Sequence, residues 1–129
     1  MMKIHNFLKA ELKGEVIHGG VGLCPHANIF PGEEIDAPVN FINYTIVPPG
    51  CSYGVHEHGN DNEFYVVLAG HGVYTQDGEE TAVEAGDIIM NSPYSSHAIR
   101  NSGDTDMQLL VFEVTAGPAR AGICRSVRS

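Results

Sequence analysis

The sequence predicts an all-β fold, a small barrel or two-sheet sandwich, on three observations. Runs of four to nine residues rich in Val, Ile, Thr, Tyr and Phe recur along the chain. Clusters of Gly, Pro, Asn and Asp separate them at close intervals, and no helical crossover of the βαβ kind fits between them. At 129 residues the chain has the length of one domain with its own core.

In chain order, residues 1–38 read as an N-terminal arm that packs on the barrel or on a partner subunit. Ile4, Phe7, Leu8 and Leu12 predict one face of a short helix. From Gly14 to Pro38, turn signals such as Gly19-Gly20, Gly22, Pro25 and Pro31-Gly32 leave room only for short strands at Glu15–His18 and Ala27–Phe30. The barrel is expected over residues 39–115. Val39–Val47 is a strand by composition, ended by Pro48-Pro49-Gly50. Ser52–His58 is expected to pair with Glu63–Ala69. Gly70-His71-Gly72 then turns into Val73–Gln76, Asp77-Gly78 makes a hairpin turn into Thr81–Glu84, and Ile88–Asn91, His97–Arg100 and Met107–Val114 complete the set. Residues 116–129 lose the alternation and read as a C-terminal tail.

A formal charge of −9 and a pI near 5.0 argue against nucleic acid or an anionic membrane as partner. Of the seven basic residues only Arg100 falls inside the barrel stretch; the others are Lys3, Lys9, Lys13, Arg120, Arg125 and Arg128. The three cysteines, Cys24, Cys51 and Cys124, are odd in number, and no apolar signal run precedes them. Reduced thiols and a cytoplasmic location are therefore expected. Cys24 and His26 are too few to make a soft-metal site by themselves.

The chemistry concentrates between Gly50 and Gly70. In a strand His56 and His58 project to one side, and the turn Gly59-Asn60-Asp61-Asn62 is expected to bring Glu63 beside them. Two imidazoles and a carboxylate suit a divalent transition metal with open coordination positions. A second segment from Gly86 to Asn101 adds His97 as a candidate fourth ligand. Counting by twos from Glu63 puts Tyr65 and Val67 on its face, and from His97 does the same for Ile99, leaving Ala98 and Arg100 outside. Tyr65 and Tyr53 are the candidate substrate contacts. Tyr65, Tyr53 or a metal-activated water are the candidate bases, since no second carboxylate or lysine is identifiable in the pocket. His5, His18, His26 and His71 are expected at the surface, and Asn101 is expected to satisfy local backbone groups in a turn. Phe64, Val66 and Leu68 are apolar on the opposite face of the Glu63 strand, which motivates the expectation of a homodimer.

These residues resemble the two motifs of the cupin family. Gly50, His56, His58, Glu63 and Gly70 fill every fixed position of G-x5-H-x-H-x3/4-E-x6-G, and Gly86, His97 and Asn101 keep the spacing of G-x5-P-x-G-x2-H-x3-N. In the second motif Pro93 falls one place late and Tyr94 stands where the family has its second glycine. The resemblance implies a double-stranded β-helix, or jelly-roll barrel. It also implies one divalent metal (Fe, Mn, Ni, Co or Zn) held by His56, His58, Glu63 and His97, the histidines through Nε2, with two octahedral positions left. Similar proteins include dioxygenases, oxalate-degrading enzymes, sugar isomerases and proteins acting on pectin-derived sugars. The implied function is a metal-dependent enzyme, a dioxygenase, isomerase or lyase, acting on a small keto or hydroxy acid, diketone or sugar derivative. The alternative is a non-catalytic, metal-assisted binder or sensor of such a molecule.

Overall fold

A computed structural model of the protein describes residues 2–57 and 59–115. The expected tail and His58 lie outside the described residues. The described strands are β1 (Lys13–Glu15), β2 (Cys24–Pro31), β3 (Val39–Val47), β4 (Ser52–Glu57), β5 (Asp61–Ala69), β6 (His71–Gln76), β7 (Glu79–Glu84), β8 (Ile88–Asn91), β9 (Ser96–Arg100) and β10 (Met107–Thr115). They form two antiparallel sheets, a six-stranded one in the order β1-β2-β3-β10-β5-β8 and a four-stranded one in the order β4-β9-β6-β7. This is the expected all-β jelly roll.

Side-chain alternation explains how the two sheets meet. Along β5, Glu63, Tyr65 and Val67 are buried while Phe64, Val66 and Leu68 face outward. Along β10, Met107, Leu109, Val111 and Glu113 point in. Their inward apolar members join Val47, Tyr53 and Ile99 in one core cluster. Burying a side chain such as Leu109 or Ile99 contributes about 2–3 kcal/mol.

One expected pairing is corrected. β4 does not form a hairpin with β5; it pairs with β9, and β5 pairs with β10 and β8 in the other sheet. The residues between β4 and β5 therefore cross from sheet to sheet. His56 and Glu63 meet across the interior of the barrel rather than along one ladder. The β6–β7 connection, by contrast, is the expected two-residue hairpin, with Gln76 opposite Glu79 and positive φ at both Asp77 (47°) and Gly78 (86°).

The N-terminal segment differs from expectation too. Between Ile4 and Leu12 only Phe7–Lys9 is helical, as a single 3-10 turn, and Ile4 and Leu8 are 77% and 73% exposed. With those two side chains left in solvent, a longer helix would lack the buried face that stabilises it. Phe7 docks on Tyr44 and His5 on Phe30, each with ring centroids 4.6 Å apart. Beyond it, β2 pairs directly with β3 and β1 with β2, so residues 13–31 extend the larger sheet. Among the described residues no helix is long and apolar enough to cross a membrane.

In the loop before β9, Tyr94 takes a backbone conformation that suits a glycine. Tyr94 has φ 63°, the left-handed conformation that a glycine adopts without steric cost. Its N–H donates to the Gly59 carbonyl at 3.2 Å, tying this loop to the β4–β5 connection. Tyr94→Gly is therefore expected to leave stability unchanged or slightly higher. Tyr94→Val, a branched side chain at positive φ, is expected to lower it by about 1–2 kcal/mol in urea denaturation.

Candidate metal centre

His56 and His97 face each other on the β4–β9 ladder, their rings edge to face with centroids 4.2 Å apart. Glu63 reaches them from β5 in the opposite sheet. Its Oε1 stands 3.5 Å from His56 Nε2 and 3.2 Å from His97 Nε2. One ligand atom from each of the three residues falls within 4.8 Å of the others. Glu63 and His97 are 3% and 1% exposed.

The donor set fits a transition metal. Donors held about 2.1 Å from one ion at right angles stand roughly 3 Å apart, and two imidazoles with one carboxylate are a recurrent face of an octahedral metal. The tautomer is set for it as well. His56 Nδ1–H donates to the Gly54 carbonyl at 3.0 Å, which leaves the Nε2 lone pair directed at the convergence point. Burial opposes the His56 imidazolium, but Glu63, the Gly54 carbonyl and Glu113 outweigh it, so the pKa lies above its ordinary value. A metal bound at His56 Nε2 would compete with a proton for that nitrogen, so its affinity would fall on acidification.

Around this point the barrel supplies aromatic walls. Tyr65 is wholly buried, with its ring edge to face against Tyr53, at 5.7 Å between centroids, and His97, at 5.9 Å. Its hydroxyl has no hydrogen-bond partner in good geometry among the described residues. Burial first, then the neighbouring Glu63 carboxylate, drives the Tyr65 phenol well above its usual pKa. Burial does the same to Tyr53, partly offset by a hydrogen bond with Thr45. Burial and the Glu63 charge thus weigh against both phenols as bases in the metal-free protein.

A cavity of about 290 Å³ opens beside Glu63. Tyr53, Phe41 and Val111 form its apolar wall, and Glu15, His18, His26, Asn43 and Glu113 its polar one. The expectation of a pocket without a second carboxylate is thus corrected. Glu113 lies directly opposite Glu63 on the β10–β5 ladder and accepts a hydrogen bond from Asn40 Nδ2 at 2.7 Å. The signal for it was present: Glu113 is in phase with inward Leu109 and Val111, and an acid in phase with a core stripe marks a site.

Two of the histidines expected at the surface line this cavity: His18, which is exposed as expected, and His26, which is half-buried. His26 is on β2 and its Nδ1 lies 2.7 Å from Thr45 Oγ1. Pro25 reads as a breaker, so the strand expected at Ala27–Phe30 began three residues late and missed it. His18 lies in the turn after β1 and stacks on His56 with centroids 3.6 Å apart and planes at 13°. Nothing local in the sequence signals that contact. His5 and His71 are exposed as expected, and Arg100 points outward to Glu80 at 2.8 Å.

His26 makes a pH prediction. Burial lowers its pKa below the ordinary 6.5, with Glu15 opposing more weakly. The unfolded chain therefore takes up the proton first, and the contribution to stability is full above about pH 6.5 and lost as pH falls below it. The drop in Tm between pH 7 and pH 5 is expected to be smaller in His26→Gln than in the wild type, measured by differential scanning calorimetry.

The comparisons with known proteins agree with this geometry. The Cupin domain family model matches residues 43–113. An oxalate-binding protein of Thermotoga maritima is 32% identical over 94 residues, 73% of this chain and 78% of that protein. Among solved structures, a predicted oxalate decarboxylase from Thermotoga maritima superposes with a TM-score of 0.84 at 26% identity, covering 88% of this chain and 99% of that one. A Cupin 2 conserved barrel domain protein from Salinispora arenicola superposes with a TM-score of 0.71 at 23% identity, covering 90% and 91%. The family match spans more than half of the sequence and falls on the strands that carry His56, Glu63 and His97, and on that ground the chain belongs to the cupin family.

Proposed function

We propose that the protein is a metal-dependent enzyme that holds one divalent transition metal through His56, His58, Glu63 and His97 and acts on a small oxygen-rich molecule. The observation that carries this reading is the convergence of His56, Glu63 and His97 beside a cavity of about 290 Å³. The metal would supply Lewis acidity or redox chemistry to a substrate that chelates it. Tyr53, which lines the cavity, would shape the apolar side of the bound molecule; Tyr65, the other expected contact, is not among the lining residues and would reach the molecule only from behind Glu63. Glu113 is the candidate base, on its place opposite Glu63.

The lining narrows the substrate class. Its polar groups include the carboxylates of Glu15, Glu63 and Glu113, and no lysine or arginine is among the described residues that line it. A second carboxylate on the substrate would be repelled there, whereas hydroxyl groups would find acceptors. Hydroxy or keto acids and sugar derivatives with donor-rich tails therefore fit better than a compact dianion. The name of the Thermotoga maritima relative supports a second reading, binding of a small acid without turnover.

The two readings separate in one experiment. Metal-loaded protein is incubated with glycerate, a keto acid, a diketone and oxalate, with products followed by mass spectrometry and binding by calorimetry. Product formation that Glu63→Gln abolishes supports the enzyme. Binding without product supports the binder, and neither outcome with any compound overturns both.

A homodimer belongs to the same proposal. Phe64, Met90 and Phe112 are neighbours on the β10-β5-β8 ladders, as are Val66, Ile88 and Leu110, with Ile88 and Met90 69% and 55% exposed. A second copy covering this outer face would bury them. A monomer at every concentration in sedimentation equilibrium contradicts it.

A further inference from the structure

The turn between β1 and β2 is bonded to the strand that carries His56. Gly20 N–H donates to the Ile17 carbonyl at 2.9 Å, closing a tight turn with His18 at φ 52° and Gly19 at φ 69°. The same Ile17 carbonyl accepts the N–H of Gly54 at 3.0 Å, and the Val21 carbonyl accepts that of Ser52 at 2.9 Å. Ser52 Oγ in turn accepts from Val21 N–H at 3.0 Å. Gly54 makes the approach possible, because a Cβ there would come within 2.1 Å of the His18 carbonyl oxygen. Gly54 also accepts the His56 Nδ1–H through its own carbonyl. Turn and metal ligand are thus held by opposite ends of one residue.

We propose that His18 is a positioning residue for the metal centre: its ring, stacked on His56, fixes the plane of that imidazole so that Nε2 points at the ion. The inference rests on the metal-binding reading above. The stack lies at 3.6 Å and 13°, covering one face of a ring that also meets the Gly54 carbonyl, Glu63 Oε1 and the His97 ring. A parallel ring against one face resists rotation about the Cβ–Cγ bond, a rotation that would swing Nε2 away from its present direction. Coordination also draws electron density out of His56, which strengthens attraction to an electron-rich face lying against it. The stack is therefore worth more with metal bound than without, and that difference appears as affinity. His is among the residues enriched at left-handed backbone, and the unbranched aromatic Tyr94 adopts it elsewhere in this chain, so an unbranched ring is presented here without the steric cost of a branched side chain.

The test uses cobalt(II) alone as probe on the full chain, in wild type, His18→Asn and His18→Phe. Asn keeps a residue that accepts positive φ while removing the ring, and Phe restores a ring that can stack and cannot ligate. We expect Asn to weaken cobalt(II) binding by about tenfold, the scale of losing a supporting contact to a ligating histidine, and to alter the visible d–d spectrum. Phe is expected to bind within about threefold of wild type with the wild-type spectrum. Unchanged affinity and spectrum in Asn overturn the inference and leave the metal site standing. Equal weakening in Asn and Phe also overturns it, since the imidazole nitrogens and not the stacked ring would then matter. Failure of the wild type to bind cobalt(II) overturns the metal reading itself.

Discussion

Glu63→Gln is expected to lower the affinity for a divalent metal by more than about a hundredfold while the far-ultraviolet circular dichroism stays that of the wild type. Losing a supporting contact to a ligand costs about ten- to a hundredfold, and losing the ligand itself exceeds that. Glu63 Oε1 is the atom that both imidazoles face, at 3.5 and 3.2 Å, and it is the anionic member of the three described donors. A glutamine has the same shape and keeps a hydrogen-bond acceptor for the histidines, so packing at this 3% exposed position is preserved. Its neutral amide oxygen is a much poorer ligand for a divalent ion. Isothermal titration with manganese(II) or cobalt(II) reads the loss, and an affinity within tenfold of wild type would remove Glu63 from the site.

Asn101→Ala is expected to destabilise the barrel by about 3 kcal/mol, since each buried polar group left unsatisfied costs about 1–3 kcal/mol. Asn101 is 3% exposed and ends the β9 side of the turn into β10. Its Nδ2 donates to the carbonyls of Val47 at 2.8 Å and Thr105 at 2.7 Å, and its Oδ1 accepts from Gly103 N–H at 2.8 Å. The bond to Val47 joins the end of β3 to this turn, tying the two sheets together at the end of the barrel. The change corresponds to a fall in Tm of roughly 10 °C for a domain of this size. Thermal unfolding followed by circular dichroism measures it, and a fall under about 3 °C would show that water replaces the amide without loss.

These two residues also show what kind of information a sequence carries. Asn101 and Glu63 were legible because a motif position fixes each, and because period two assigns Glu63, Tyr65 and Val67 to one face without knowing what they face. The same counting foresaw Ile99 inside and Arg100 outside, as found. Pairing was not legible in this way. Adjacent strands β4 and β5 look like a hairpin because four turn-forming residues separate His58 from Glu63, yet the connection carries the chain from one sheet to the other. Local turn chemistry sets where a chain bends and not which sheet receives it. The N-terminal segment was opaque for a related reason. His18 acquires its place from a turn whose hydrogen bonds go to Gly54 and Ser52, more than thirty residues away, and no local pattern encodes a partner at that distance. Glu113 was legible and overlooked, standing in phase with Met107, Leu109 and Val111. Tyr94 shows the converse. Where the family motif has a glycine, this chain places a tyrosine in the left-handed conformation, at φ 63°.

Metal content tests the central claim most directly. Wild-type protein and the His56→Ala/His58→Ala variant, both purified without a metal-affinity tag, are analysed by elemental mass spectrometry against protein concentration. The account predicts close to one divalent transition metal per chain in the wild type and its loss in the variant. Absence of metal from both proteins, or equal amounts in both, would contradict it.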